Sequence, residues 1–163
     1  MPAVPFASLP DDARVWVFAA ADPVQGPAAE TLLARVDQFL SVWSAHGVPL
    51  RCARDWRDDR FLAISVDQST AGASGCSIDG MFRVLQGLER QLGTSMVSGG
   101  RVSFREAGGE IRSASRDEFE ELAAAGRVSG DTPVFDATVT TKGEWRDRFE
   151  VRAADAWHAS LLR

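Results

Sequence analysis

Apolar residues recur at three- and four-residue spacing in two stretches of the chain and gather in short runs elsewhere. Leu32, Leu33, Val36, Phe39, Leu40 and Trp43 fall on one side of a 3.6-residue repeat, which predicts an amphipathic helix over residues 27–46. Pro27 suits the first turn of that helix, and Gly47 suits the position just past its end. His46 then lies in the last turn, where the helix dipole favours it. Ile78, Met81, Phe82, Leu85, Leu88 and Leu92 repeat the pattern and predict a second helix over 78–92, closed by Gly93. Residues 14–20, 50–53 and 61–66 are rich in β-branched and aromatic side chains and read as strands. A hairpin joins the last two through residues 54–60. Residues 1–12, with three prolines, read as an irregular lead-in.

The second half of the chain is patterned differently. Gly108-Gly109 predicts a tight turn between strands at 101–106 and 111–113. Ser115-Arg-Asp-Glu118 has the form of a capping box, opening a short helix that Gly126 stops. Asp131-Thr-Pro133 turns into a strand at 134–140; residues 144–149 pack back, and 157–162 form a last helical turn. The order strand, helix, strand, strand, helix, completed by the strand at 101–106, is that of ferredoxin-like folds. The expectation is an α+β protein. A ferredoxin-like or related α/β sandwich spans residues 10–97, and a smaller unit spans 98–163.

Composition narrows the function classes. A chain of 163 residues with 45% hydrophobic content buries a real core. A net charge of −5 argues against a nucleic-acid surface. No run approaches the ~20 apolar residues of a membrane span. The N-terminus lacks a basic, then apolar, secretory pattern. Two cysteines, Cys52 and Cys76, fit free thiols in a reducing cytoplasm. With two histidines and no close Cys or His pair, no metal site or cofactor is expected.

The stretch that suggests chemistry is Ser74-Gly75-Cys76-Ser77-Ile78-Asp79, between a strand and a helix. A helix N-terminus presents free amides and the positive end of a dipole. Ser74, Gly75, Ser77 and Asp79 are therefore candidate anion-binding residues, with a serine as cap. Cys76 is a candidate nucleophile, with His158 as its base. Asp79 opposes a thiolate, and the bland reading is a partly buried, sluggish thiol. Asp67 reads as a turn former. Arg51, Arg54, Arg57 and Arg60 around Trp56 are offset by Asp55, Asp58 and Asp59 and read as a solvated hairpin tip. Trp16 and Trp43 fit core positions.

Two resemblances follow from particular residues. Gly109-Glu-Ile111, Ser115-Arg-Asp-Glu-Phe119, Leu122-Ala-Ala-Ala-Gly126, Asp131-Thr-Pro-Val-Phe135 and Gly143-Glu-Trp145 are similar to GYF-like modules. This likeness covers about residues 101–150. It implies a small ββαβ module whose exposed aromatics, here Phe135, Trp145 and Trp157, contact a peptide. The chain departs from that family in having Ser113-Ala114-Ser115 where the helix opens, and in lacking tyrosine. Trp43-Ser-Ala-His-Gly47, residues 66–79 and Ala156-Trp-His-Ala-Ser-Leu161 resemble an uncharacterised bacterial family often labelled as ABC-transporter ATPases. A Walker A loop needs Gly-Lys-Ser/Thr to hold phosphates. The only lysine, Lys142, stands between Thr141 and Gly143, which excludes an ATPase of that type.

The leading expectation is a non-catalytic cytoplasmic protein that binds a protein, a peptide or a small anionic ligand, without nucleic acid or membrane. The alternatives are a cysteine enzyme using Cys76 and His158, and an anion-binding module at 74–77.

Overall fold

Phe61–Val66 is the central strand of the first sheet, and every one of its six residues is buried. That explains its apolar run, interrupted only by the buried Ser65: a strand covered on both faces has no solvent side to mark with polar residues. It is β5 of the computed structural model, which describes residues 3–97 and 100–162. Antiparallel neighbours flank it, β1 (Arg14–Ala19) on one side and β4 (Cys52–Arg57) on the other. Two helices, α1 (Pro27–Val42) and α2 (Gly75–Leu92), cover one face. Leu32, Val36 and Leu40 of α1 and Met81, Leu85 and Leu88 of α2 meet Phe18, Leu62, Ile64 and Val66 there.

The opposite face of this sheet is covered by the second half of the chain. Val15, Phe61 and Ala63 pack against Phe135, Val139, Trp145 and Phe149. A second sheet follows, built from β6 (Arg101–Arg105), β7 (Ile111–Ser115), β8 (Pro133–Phe135) and β9 (Glu150–Arg152) in the order β7-β6-β8-β9. Helix α3 (Arg116–Ala124) and a 3-10 turn at Trp157–Leu161 pack on it. Its own core joins Val102, Phe104, Ala114, Phe119 and Val134. The protein is α+β.

Several local features follow the sequence closely. Ser115 Oγ accepts from the Glu118 amide while Glu118 reaches back to the Ser115 amide, so the expected capping box forms. These bonds, the backbone one first, hold the Glu118 carboxyl below its usual range. Gly109 turns the β6–β7 hairpin at φ +88°, and Gly93 ends α2 at φ +71°. Asp67 does form a side-chain turn, accepting from both the Ser69 amide and its hydroxyl.

Four expectations need correction. First, α1 stops at Val42, short of residue 46. The Trp43 indole turns inward and donates to the Ser77 carbonyl at 2.9 Å, tying the two helices. Residues Ser44–Ala45 (β2) and Val48–Pro49 (β3) then form a small ribbon. His46 and Gly47, at φ +50° and +77°, make its two-residue turn. His46 is therefore a turn residue and does not lie in the last turn of α1.

Second, β6 does not enter the first sheet. It pairs with β7 and β8, so the fourth strand of a ferredoxin-like sheet is missing beside β1. Third, the strand expected over 134–140 ends at Phe135, because Asp136 accepts from the Thr138 amide and hydroxyl in a tight turn. Residues 144–149 lie mostly in a helix, α4 (Lys142–Arg148), capped by Thr141.

Fourth, the arginine-rich hairpin is a contact surface rather than a solvated tip. Asp55 and Arg57 both bond Trp145. The Arg60 side chain is buried and donates to the carbonyls of Ala21, in the loop after β1, and Ile111, in β7 of the second sheet. Arg54 forms a forked pair with Asp37 of α1. The charges cancel because they pair across elements, which linear spacing does not reveal.

Candidate functional site

A groove of about 620 Å³ runs between β1 and the second sheet. Its origin is the missing fourth strand. In an antiparallel ladder, alternate residues of an edge strand turn their amide and carbonyl outward. The Val15 amide donates to the Thr140 carbonyl and the Ala13 carbonyl accepts from Lys142, so the odd-numbered residues of β1 face out. The Ala20 amide donates instead to Arg60 beside β5, as the alternation requires. Further along, the Ala21 amide donates to Ser95. Between these two closures, the backbone groups of Val17 and Ala19 pair with nothing among the described residues.

Aromatic side chains from both halves line this gap. Trp16, Phe18 and Phe82 come from the first sheet and its helix, Phe135 and Trp157 from the second unit. Arg101 and Arg116 lie on the same groove. Arg101 donates to the hydroxyl and carbonyl of Ser113, and the Arg116 guanidinium sits 4.9 Å over the Trp157 ring. Neither guanidinium makes a contact ion pair with a carboxylate among the described residues, although Arg101 adds to the lowering of the Glu118 carboxyl from a distance. Apolar walls with a few fixed polar groups are the usual make-up of a binding site.

The expected loop site is built differently. Ser74 caps α2 as anticipated: its hydroxyl accepts from the Ser77 amide, and Ser77 Oγ accepts from the Ser74 amide. The Ser77 hydroxyl in turn donates to the Ser74 carbonyl, so both serine amides and the Ser77 hydroxyl are bonded within the motif. Gly75 and Cys76 occupy the first helical turn, in a shallow depression shared with Ser44 and His46. Asp79 is exposed and does not line this depression. Cys76 is exposed, contrary to the partial burial expected of it.

His158 is not beside Cys76. It is 1% exposed, stacked on Trp157 and edge-on to Phe119 in the core of the second unit. Its Nδ1 is buried without a partner. Burial pushes its pKa down to about 4, with Arg116 adding to the shift and Asp136 opposing it. A neutral imidazole sealed among aromatic rings is a packing group. The histidine that shares the Cys76 depression is His46.

The three aromatic candidates divide. Phe135 and Trp145 are buried in the layer between the two sheets. The Trp145 indole donates to Asp55, and Arg57 lies 5.1 Å over its ring. Only Trp157 keeps partial exposure, and it does so on the groove. Among the described residues no cluster of three or more His, Cys, Asp or Glu side chains is arranged to hold a metal ion, and no helix is long and apolar enough to cross a membrane. No family model matches the chain, and comparison with the curated proteins and with the solved structures finds no similar protein.

Sequence reasoning missed Val17, Ala19, Phe82, Arg101 and Arg116. The one signal for the edge was the stretch from Val15 to Ala19, a strand pattern without a charge. Its significance depends on which strand lies beside it, and local pattern assigned that place to residues 101–106.

Proposed function

We propose that this is a non-catalytic binding protein whose site is the groove between β1 and the second sheet. The observation that carries the reading is the stretch of β1 at Val17 and Ala19, unpaired among the described residues and set among aromatic side chains from both halves of the chain. The cysteine reading has less support, because Cys76 and His158 lie in separate surroundings. Anion binding at 74–77 is weakened because the Ser74 and Ser77 amides already donate to the serine hydroxyls, and the Ser77 hydroxyl donates to the Ser74 carbonyl. A GYF-like contact through Phe135 and Trp145 has no exposed rings to use, whereas Trp157 remains available. Two free thiols fit a reducing, cytoplasmic setting.

The apolar dye anilinonaphthalene sulfonate tests the groove without presuming a natural ligand. It is expected to bind the native chain saturably and to fluoresce. Ala137→Phe, a bulkier side chain at an exposed position on the groove, is expected to weaken binding about tenfold, equal to ~1.4 kcal/mol. Absence of saturable binding, or equal binding by the variant, would remove the support for this site.

A further inference from the structure

Resting on that reading, we infer that the groove receives an extended segment of a partner protein, which adds as a strand to the β1 edge and carries an acidic side chain toward Arg101 and Arg116. The backbone argument comes first. The Val15 carbonyl, the amide and carbonyl of Val17, and those of Ala19 point into the space where a fourth strand would lie. Thr140 closes this slot at one end and Ser95 at the other. At ~3.3 Å per residue the open stretch is about 13 Å long, enough for a short strand. Main-chain hydrogen bonding to an exposed sheet edge is a general mode of peptide capture.

The second argument is what this edge lacks. Proteins protect open strand edges with charges, bulges or coverings. The outer strands β4 and β7 carry Arg54, Asp55, Arg57 and Arg112. The strand β1 carries one charge, Arg14 at its start, whose guanidinium lies 4.4 Å over the Trp16 ring, and none from Val15 to Ala19. An unprotected edge in a recessed, aromatic-lined groove suits a strand that arrives from elsewhere. An alternating segment would set one row of side chains against apolar wall from Phe82 and Trp157.

Charge selects the segment. The protein is acidic overall, at −5, yet neither groove arginine makes a contact ion pair among the described residues, and Arg101 meets only the longer-range field of Glu118. Trp157 stacks under Arg116, and Ser113 fixes Arg101, so both guanidiniums are held rather than free to wander. Held guanidiniums recognise carboxylates by paired hydrogen bonds.

The test is selection of random peptides of about ten residues, enough to overrun the slot, against the full chain. Enriched sequences are expected to alternate apolar residues and to contain Asp or Glu. Methylating the peptide backbone nitrogens one at a time should weaken binding about tenfold or more at alternate positions and little between them, since only alternate amides face the edge. Arg101→Gln and Arg116→Gln should each weaken binding several-fold and reduce its salt dependence. Uniform tolerance of methylation overturns strand addition. Enriched peptides that need a free C-terminus and no acidic side chain overturn the charge assignment. If no peptide is enriched, or if the chain instead self-associates through this edge, the inference fails. Dye binding blocked by Ala137→Phe would, in each of these cases, leave the groove itself standing.

Discussion

The indole Nε1 of Trp145 donates to the carboxylate of Asp55 at 2.9 Å, joining α4 to the outer strand of the first sheet. Arg57 completes the contact by donating to the Trp145 carbonyl at 3.2 Å and lying over the ring. The bond matters because Trp145 is 1% exposed and belongs to the apolar layer that both halves share. An indole N–H buried without a partner costs about 1–3 kcal/mol. Asp55→Ala is therefore expected to lose that much stability, and Trp145→Ala about 3–5 kcal/mol through the cavity left behind. Urea unfolding would measure both, and the double variant should lose less than the two losses combined. Unfolding of the wild type should be one transition, since neither half keeps its share of this layer alone. Two separated transitions would contradict the shared core.

The reciprocal bonds between Ser74 and Ser77 set where α2 begins. Ser74→Ala removes the acceptor for the Ser77 amide and is expected to cost ~1 kcal/mol. Ser74→Asp should restore most of it, because a carboxylate accepts the same bond and favours the positive end of the dipole. Chemical denaturation of the three proteins provides the comparison. Equal stability of Ser74→Ala and wild type would mean that the cap contributes nothing.

Local signals carried most of the elements and little of the site. The capping serines, Ser74 and Ser115, stand at helix starts because a capping box is a four-residue arrangement, legible in order along the chain. The buried strand Phe61–Val66 is marked by a run apolar at every position but Ser65. By contrast, the role of Trp145 depends on Asp55, ninety positions away. Nothing in the neighbourhood of either residue encodes the other. The groove is harder still, because it exists through an absent pairing. Residues 101–106 have the pattern of a strand and Arg101–Arg105 form one, yet β7 and β8 claim both its edges. The end of α1 was misread for a related reason. Trp43 continues the apolar repeat while its indole is drawn to the Ser77 carbonyl on another helix.

His158 should make stability depend on mildly acidic pH. In the unfolded chain its imidazole takes a proton near 6.5, whereas burial in the folded chain lowers that to about 4. Between those values the unfolded state binds more protons, so stability falls as pH falls and the loss is complete below about pH 4. The group accounts for up to about 3 kcal/mol of that loss. His158→Phe keeps the ring contacts with Phe119 and removes the titration and the unpartnered Nδ1. The variant is expected to lose correspondingly less stability between neutral pH and pH 4, measured as the difference in urea midpoints. Parallel pH profiles for the two proteins would show that His158 does not titrate in this way.

The two thiols are expected to react in sequence, and the order separates packing from catalysis. Cys52 is fully buried, and its Sγ bonds the Leu40 carbonyl at 3.4 Å. Burial pushes this thiol up to about 12, so the native state offers almost no thiolate and no path for a reagent. Cys76 is exposed in the first turn of α2, where a reagent reaches the sulfur directly. With a chromogenic disulfide reagent, Cys76 should label in the native state and Cys52 only as the chain unfolds. Cys76→Ala should abolish the fast phase and leave the slow one, which urea should accelerate. His158→Phe should leave the fast phase unchanged, because His158 is sealed in the other half of the molecule. A fast phase that slows markedly in His158→Phe, in a variant shown to be folded, would mean that the two residues meet in solution. That result would restore the cysteine–histidine enzyme over the binding groove.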